Sequence, residues 1–157
     1  MQGKFILLDI DGVMVPAASW KRVDLNADGF YKFTPRAEQS LDLLLQKTKA
    51  TIILTSTHRN RYDKAEWKNI FNRRLNNVND VEILDDYSQI KVNKLKRYDE
   101  ILQWGSVYGL DKDYVIIDDD KSLHDLPDRI RDHWVRTDPL IGLTEEKADA
   151  ALNILNA

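Results

Sequence analysis

Apolar residues in this chain fall into short unbroken runs that are separated by longer segments of mixed polarity. Three of these runs, 5–8, 52–54 and 115–117, end directly in Asp or Thr. Strands that are buried on both faces of a parallel sheet have this continuous apolar pattern. Two further short strands are predicted at 81–84 and 134–135. The pattern therefore predicts a five-stranded, mostly parallel sheet.

The intervening segments place apolar residues three or four positions apart, which is the spacing of one buried helix face. This alternation of strands and helices favours parallel strands joined by right-handed crossovers. We therefore predict an α/β, three-layer Rossmann-like fold with helices on both faces of the sheet. The segment 13–33 is predicted to form a loop or small hairpin flap after the first strand. Helices are predicted to begin at Thr34–Pro35, at a capping box of Asp63 and Glu66, within the basic segment 91–97, around Pro127 and at Thr144.

Length and composition describe an ordinary globular protein of one domain, residues 1–157. The net charge of -3 gives no overall basic character of the kind that nucleic-acid binding favours. Because the chain has no cysteine, any metal must be held by oxygen atoms or histidine. The first apolar run is short and is broken by Asp9 and Asp11. We therefore expect neither a signal peptide nor a membrane contact, and we expect a cytoplasmic protein.

Two acidic clusters follow strands of the predicted sheet. Asp9 and Asp11 follow the first run, with Gly12 next, and a second cluster begins at Asp118 and Asp119. Parallel strands present their carboxyl ends at one edge of the sheet, so we expect the two clusters to meet there. Carboxylates this close repel unless a cation lies between them, and carboxylates without histidine suit Mg²⁺. The alternative is a pair of solvated acidic turns, an interpretation that we accept for Asp120 as a helix N-cap.

The second predicted strand ends in a polar segment that begins with Thr55 and Ser56 and continues to His58 and Arg59. Hydroxyl and backbone N–H groups there can hold phosphoryl oxygens, and Arg59 can act as a bidentate clamp. Helix capping or turn formation explains the same residues, and taken alone this alternative is favoured. A basic segment with Lys91, Lys94, Lys96 and Arg97 precedes the second acidic cluster, and such a segment is usually a solvated helix face.

Four motifs thus follow one another along the chain: Asp9–Gly12 after the first strand, Thr55 after the second, a basic residue that opens a helix, and Asp118–Asp119 after the fourth strand. In this order they resemble the motifs of the haloacid dehalogenase superfamily of phosphohydrolases, and the resemblance covers essentially the whole chain. The resemblance implies that Asp9 is a nucleophile that forms an aspartyl-phosphate. It implies that Asp11 protonates the leaving oxygen and then activates water, while Thr55 binds the phosphoryl group. Mg²⁺ would be held by Asp9, the backbone carbonyl of Asp11, and Asp118 or Asp119.

From their positions at the strand ends, Gly12, Ser56, His58 and Arg59 are the residues that we expect to contact the phosphorylated substrate. The third motif of the family carries a lysine, and by spacing this position falls on Arg97. Lys96 is adjacent and Lys94 is the remaining alternative.

The segments available for a cap domain are short, so the resemblance implies a capless member with an open site. The chain is also similar to the small phosphatase-like domains linked to RNA repair, including the segment 134–144. A polynucleotide end or another large substrate is the expected partner, although the net charge argues against nucleic acid. A local patch of Arg59, Arg61, Arg73 and Arg74 is the exception. The alternative function is a catalytically weak module that binds a phosphorylated partner, and the sequence does not indicate the oligomeric state.

Overall fold

The computed structural model describes residues 3–18, 20, 22–84, 96–109 and 113–156. The strands are β1 (Lys4–Leu8), β2 (Thr51–Leu54), β3 (Asp80–Ile83), β4 (Asp113–Asp118) and β5 (Trp134–Arg136). The α-helices are α1 (Pro35–Thr48), α2 (Lys64–Asn72), α3 (Arg97–Trp104), α4 (Asp128–Arg131) and α5 (Glu145–Leu155). Two 3₁₀ turns, Thr57–Arg61 and Lys121–Asp125, follow β2 and β4, and a π turn at Gly105–Gly109 continues α3.

The five strands form one sheet in the order β3-β2-β1-β4-β5, and every neighbouring pair is parallel. The predicted α/β class and the predicted Rossmann-like sheet are therefore confirmed, with all five strands parallel rather than most of them. β1 lies at the centre, where it pairs with β2 on one side and β4 on the other. The ends of β1, β2 and β4 are consequently neighbours at one edge of the sheet.

Alternate residues of the central strands face two separate apolar cores. Ile6 and Leu8 pack with residues of α1, α2 and α5, whereas Phe5 and Leu7 pack with α3 and the segment around α4. Because both faces of the sheet are covered, the central strands read as continuous apolar runs. The helices thus form two outer layers around the sheet, as the periodicity predicts.

Helix starts follow the predicted capping chemistry. Thr34 accepts a hydrogen bond from the Ala37 backbone at the start of α1, and Asp63 and Glu66 form the reciprocal capping box of α2. Thr144 caps α5 in the same way as Thr34 caps α1. In the described ranges, every helix is too short or too polar to cross a bilayer.

The flap between β1 and α1 is a hairpin that is packed onto the body of the domain. Leu25 and Tyr31 form an antiparallel bridge, and Gly29 makes the turn with a φ of 82°. Phe30 is fully buried and meets Trp67 of α2 edge to face, with ring centroids 5.0 Å apart. The hairpin is therefore fixed by its aromatic side chains instead of standing away from the sheet.

A buried ion pair fixes the tip of the same hairpin. Asp28 accepts hydrogen bonds from both Nη atoms of Arg74, at 2.7 and 2.9 Å, and the Arg74 side chain is only 1% exposed. The hydrogen bonds from Arg74 hold the pKa of Asp28 well below its ordinary value. Residues 24–29 resemble the start of an EF-hand loop, but Asp28 serves here as an anchor of the turn.

Candidate active site

Three strand ends bring their polar residues together at the edge described above. Asp9 directly follows β1, and its backbone N–H donates to Ile117 O at 3.1 Å. Thr55 directly follows β2, and its N–H donates to Leu8 O at 2.9 Å. Asp118 is the last residue of β4. The sheet register thus places these three side chains next to one another at the carboxyl end of the central strands.

Asp9, Asp118 and Asp119 form a compact carboxylate cluster. Each offers one oxygen atom, and these three atoms all lie within 4.8 Å of one another. Burial raises the pKa of Asp118 well above its ordinary value, and the nearby Asp9 raises it further. Burial also raises the pKa of Asp9, although Arg97 opposes the shift. The fold therefore holds these acids in a place that disfavours their charged forms.

Asp119 is the most accessible member of the cluster, and its pKa is raised to about 6 by burial and by the charge of Asp9. A hydrogen bond between the two carboxyl groups accompanies this shift. Among the described residues, three carboxylates face one guanidinium, so this group has an excess of two negative charges when fully ionised. A divalent cation with a preference for oxygen ligands fits this donor set and offsets the excess charge.

Among the described residues, Arg97 brings a positive charge to the cluster. Its Nη1 lies 3.3 Å from Asp118 Oδ2, and its Nη2 lies 3.6 Å from Asp9 Oδ1. Burial lowers the pKa of Arg97, but the carboxylates of Asp118 and Asp9 outweigh that effect and raise it overall. Lys96 is exposed at the N-cap of α3, where its backbone N–H bonds to Asp99. Of the described basic candidates, Arg97 therefore reaches the cluster and Lys96 points to solvent, while Lys91 and Lys94 lie outside the described residues.

Two buried polar atoms at the cluster lack a hydrogen-bond partner among the described residues. They are Thr55 Oγ1 and Arg97 Nε. Buried polar atoms are almost always paired, so an unpaired hydroxyl and an unpaired guanidinium nitrogen at one site indicate a missing acceptor. A phosphoryl group offers several such acceptor oxygens.

Asp11 does not join the carboxylate cluster with its side chain. Its Oδ2 lies 2.9 Å from His58 Nε2, and the Asp11 side chain remains 44% exposed. The His58 ring also meets the rings of Phe30 and Tyr31 edge to face. Asp11 is therefore fixed beside the cluster. If Asp11 provides a metal ligand, that ligand is its backbone carbonyl oxygen. In the structure His58 contacts Asp11 directly, and the contact with substrate that we predicted for His58 stays a prediction.

Ser56 has the capping role that was the alternative to phosphate binding, and Arg59 is engaged in an internal ion pair. Ser56 is fully buried, and its Oγ accepts the His58 backbone N–H, which caps the 3₁₀ turn. Arg59 forms a buried ion pair with Glu100 and also donates to two backbone carbonyls. Its Nη atoms are thus engaged inside the domain. The phosphate clamp predicted for Arg59 is replaced by an internal pairing that sequence proximity could not indicate.

Gly12 was also predicted to contact substrate, and in the structure its backbone N–H and carbonyl both form hydrogen bonds within the domain. Its N–H donates to Val15 O at 2.7 Å, and its carbonyl accepts from Thr137 Oγ1 at 2.7 Å. The φ of Gly12 is 81°, and a Cβ added there would overlap the carboxylate of Asp119. A glycine is therefore required for the β1 loop to approach the second acidic cluster.

Sequence reasoning did not identify two residues of β5 and its end that support the site. Trp134 Nε1 donates to the backbone carbonyl of Asp118 at 3.0 Å, and Thr137 bonds to Gly12 as described above. Thr137 follows β5 as Thr55 follows β2, so a hydroxyl after a strand was the available signal. Asp120 caps the next turn by accepting the Ser122 N–H, as predicted.

The predicted arginine patch is mostly internal. Arg59 and Arg74 are buried in the ion pairs already described. Arg61 lies over the rings of Phe30 and Tyr62, with distances of 5.7 and 5.6 Å to the ring centroids. Arg73 is largely exposed, so this part of the surface has two accessible arginines instead of four. Trp20, in the segment between β1 and α1, is 77% exposed.

Comparison with known families identifies one match, which extends over residues 5–148 and includes every residue of the carboxylate cluster. No curated protein and no solved structure matches the chain. The matched family model describes a phosphohydrolase-type domain, and the acidic cluster at the carboxyl ends of β1 and β4 is compatible with that type of function. The chain belongs to the family described as the HAD domain in Swiss Army Knife RNA repair proteins.

Proposed function

We propose that this domain is a Mg²⁺-dependent phosphatase that acts through an aspartyl-phosphate on Asp9. The observation that carries the proposal is the arrangement around Asp9, with Asp118 and Asp119 on one side and an unpaired Thr55 hydroxyl nearby. Family membership supports the reaction type. The substrate that we propose is a phosphorylated polynucleotide end.

In the first step, an oxygen of Asp9 attacks the phosphorus atom and the bond from phosphorus to the leaving oxygen breaks. Asp11 donates its proton to the leaving oxygen. In the second step, water attacks the phosphorus atom of the aspartyl-phosphate while Asp11 accepts a proton from that water. The bond between phosphorus and Asp9 then breaks, inorganic phosphate is released, and Asp9 is regenerated.

Asp11 suits this proton transfer because it lies apart from the buried carboxylates. Its side chain remains partly exposed, and His58 holds it by one oxygen atom. The other oxygen is therefore available to the leaving group and later to water. The three clustered acids are each shielded or paired, so they are poorer candidates for this role.

Thr55 and Arg97 would bind the oxygens of the transferring phosphoryl group. Donors already aimed at a position of developing charge lower the barrier without reorganisation cost. Mg²⁺ bound by Asp9, Asp118 and Asp119, with the Asp11 carbonyl as a further ligand, would neutralise charge on the phosphate and the nucleophile. The excess negative charge of the cluster supports this assignment, since oxygen-only sites next to phosphate favour Mg²⁺.

A groove beside Asp11 supports a large leaving group. It has a volume of about 600 Å³ and lies between the β1 loop and the flap, lined by Asp11, Val23, Leu25, Arg22 and Tyr31. Tyr31 is held by stacking on Phe30, with ring centroids 5.0 Å apart. Apolar and aromatic walls with one arginine suit a nucleoside followed by a phosphodiester. The RNA-repair proteins in the description of the family support the same substrate class.

The activity is tested with p-nitrophenyl phosphate and Mg²⁺, with the native chain compared with Asp9→Asn. We expect turnover by the native chain that EDTA abolishes, and we expect none from the Asp9→Asn variant. Asp149→Asn is a matched control, because Asp149 is an exposed carboxylate on α5. Equal rates for the native chain and Asp9→Asn, or no turnover by either, would instead favour a phosphate-binding module.

The substrate class is tested with short RNA and DNA strands that carry a 3′ or a 5′ phosphate, compared with a mononucleotide. We expect a higher kcat/KM for one of the strands than for p-nitrophenyl phosphate. Arg22→Ala should raise KM for that strand several-fold and leave p-nitrophenyl phosphate turnover unchanged. If the strands react no better than the small ester, the polynucleotide assignment is wrong even though the phosphatase assignment stands.

A further inference from the structure

The buried ion pair between Arg59 and Glu100 joins two parts of the chain that each supply a residue to the site. Both side chains are nearly inaccessible, with relative exposures of 7% for Arg59 and 10% for Glu100. Arg59 belongs to the turn after β2, whereas Glu100 lies in the first half of α3. The pair therefore connects the Thr55 segment with the helix that carries Arg97.

On one side, Arg59 holds the end of β2. Its Nη1 donates to Thr55 O at 3.1 Å and to Ser56 O at 3.3 Å. These bonds attach the guanidinium to the backbone of Thr55, whose buried hydroxyl has no hydrogen-bond partner among the described residues. The backbone carbonyl of Arg59 also accepts the indole N–H of Trp67 at 2.9 Å, which ties the turn to α2.

On the other side, Glu100 lies three residues after Arg97 and so occupies the same face of α3. Its backbone N–H donates to Lys96 O at 3.1 Å, within the first turn of the helix. A shift of Glu100 would therefore move the first turn of α3. The Arg97 guanidinium, which reaches Asp9 and Asp118, would move with it.

We propose that the Arg59–Glu100 pair is a positioning device that sets Thr55 and Arg97 at the spacing needed to bind one phosphoryl group. The inference rests on the proposed phosphatase function. Neither residue of the pair touches the carboxylate cluster in this structure, so both act through Thr55 and Arg97. Catalytic donors must be held to within about 0.5 Å by the residues around them. Stability alone is a weak reason for such a pair, because buried ion pairs can often be replaced by apolar residues without loss.

The test compares Arg59→Lys and the double variant Arg59→Met/Glu100→Met with the native chain. The lysine can still pair with Glu100 but lacks the second nitrogen that holds the two carbonyls. The double variant removes both buried charges together, so its melting temperature should stay close to that of the native chain. For both variants we expect kcat with p-nitrophenyl phosphate to fall about tenfold or more, while KM changes less than about twofold. Lys64→Met/Glu82→Met, which removes an exposed ion pair in the same way, should leave kcat unchanged.

A second measurement requires neither activity nor metal. The Nε–H signal of Arg97 in the ¹⁵N NMR spectrum of the metal-free protein can be assigned with Arg97→Lys. We expect this signal to move or to exchange faster in both variants and to stay in place in the Lys64/Glu82 control. The proposal is overturned if the signal is unchanged, or if kcat of a well-folded double variant equals that of the native chain. If the native chain has no turnover, the phosphatase function fails while the NMR result still decides the positioning role. If the double variant does not fold, Arg59→Lys decides by the same two readouts.

Discussion

Replacing Asp119 with asparagine should stabilise the metal-free protein at alkaline pH. The pKa of Asp119 rises from 3.8 to about 6 in the folded state, because burial and Asp9 disfavour its charge. Each pKa unit corresponds to about 1.4 kcal/mol, so the full shift of about two units corresponds to roughly 3 kcal/mol. Asp119 is partly exposed, and solvent screening reduces this value by about half. The Asp119→Asn substitution should therefore add about 1 to 2 kcal/mol to the free energy of unfolding, or roughly 3–6 °C in Tm.

The sign of the pH dependence follows from the raised pKa. Proton uptake by Asp119 stabilises the folded native chain fully below the unfolded pKa near 3.8, and this contribution is lost as pH rises through about 6. The advantage of the Asp119→Asn variant should thus be near zero at pH 4 and reach its full size at pH 8. Differences taken at each pH remove the effect of Asp28, which both proteins share.

The assay is thermal unfolding in EDTA at pH 4, 6 and 8, repeated at pH 8 with saturating Mg²⁺. With Mg²⁺ the native chain should gain more stability than Asp119→Asn, because a bound ion stabilises the folded state by mass action. Asp149→Asn serves as the control and should show no such pattern. An Asp119→Asn variant that melts no higher than the native chain at pH 8 without metal would refute the electrostatic reasoning.

Three further variants test separate parts of the structure. Gly12→Ala should lower Mg²⁺ affinity at least tenfold, measured by titration calorimetry, because its Cβ would displace the Asp119 carboxylate; unchanged affinity would contradict the required close approach. Thr55→Val should lower kcat by about 10² while Tm stays the same or rises, since the hydroxyl that it removes is buried and unpaired. Asp28→Asn should cost about 3–5 kcal/mol in urea unfolding at pH 7 by leaving Arg74 buried without its charged partner. The lowered pKa of Asp28 means that the native advantage should narrow below about pH 4, and an advantage independent of pH would argue against this pair.

The sequence was sufficient for the sheet and its polar edge because strong local rules act there. Runs such as 115–117 are continuous since both faces of the sheet are covered, and capping residues such as Thr34 and Asp63 mark helix starts locally. Once the strands are parallel, the edge position of Asp9 and Asp118 follows from geometry alone.

The basic residue that contacts the carboxylate cluster could not be identified from such local rules. Lys96 and Arg97 are adjacent, and a difference of one residue in the start of α3 turns one side chain toward the sheet and the other toward solvent. Boundaries of helices are uncertain by more than one residue when only the sequence is read. Of these two residues, Arg97 is the one whose side chain reaches Asp9 and Asp118, while Lys94 lies outside the described residues.

The internal pairing of Arg59 could not be predicted from the sequence for another reason. Its partner Glu100 is 41 positions away in the sequence, and its remaining bonds are to backbone carbonyls, which no residue pattern reveals. The support that Trp134 and Thr137 give to the site likewise depends on β5 lying beside β4. Apart from the hydroxyl that follows β5, tertiary pairing of this kind carries no local sequence signal.

The anchored hairpin has a consequence for the second half of the proposed reaction. Phe30 and the Asp28–Arg74 pair fix the hairpin to the body of the domain, so the hairpin need not swing aside between turnovers. A phosphorylated Asp9 would then be open to small alcohols as well as to water, and glycerol or ethanol in the buffer would intercept part of the phosphoryl group. The ratio of phosphorylated alcohol to free phosphate would measure how readily small alcohols reach the phosphorylated Asp9.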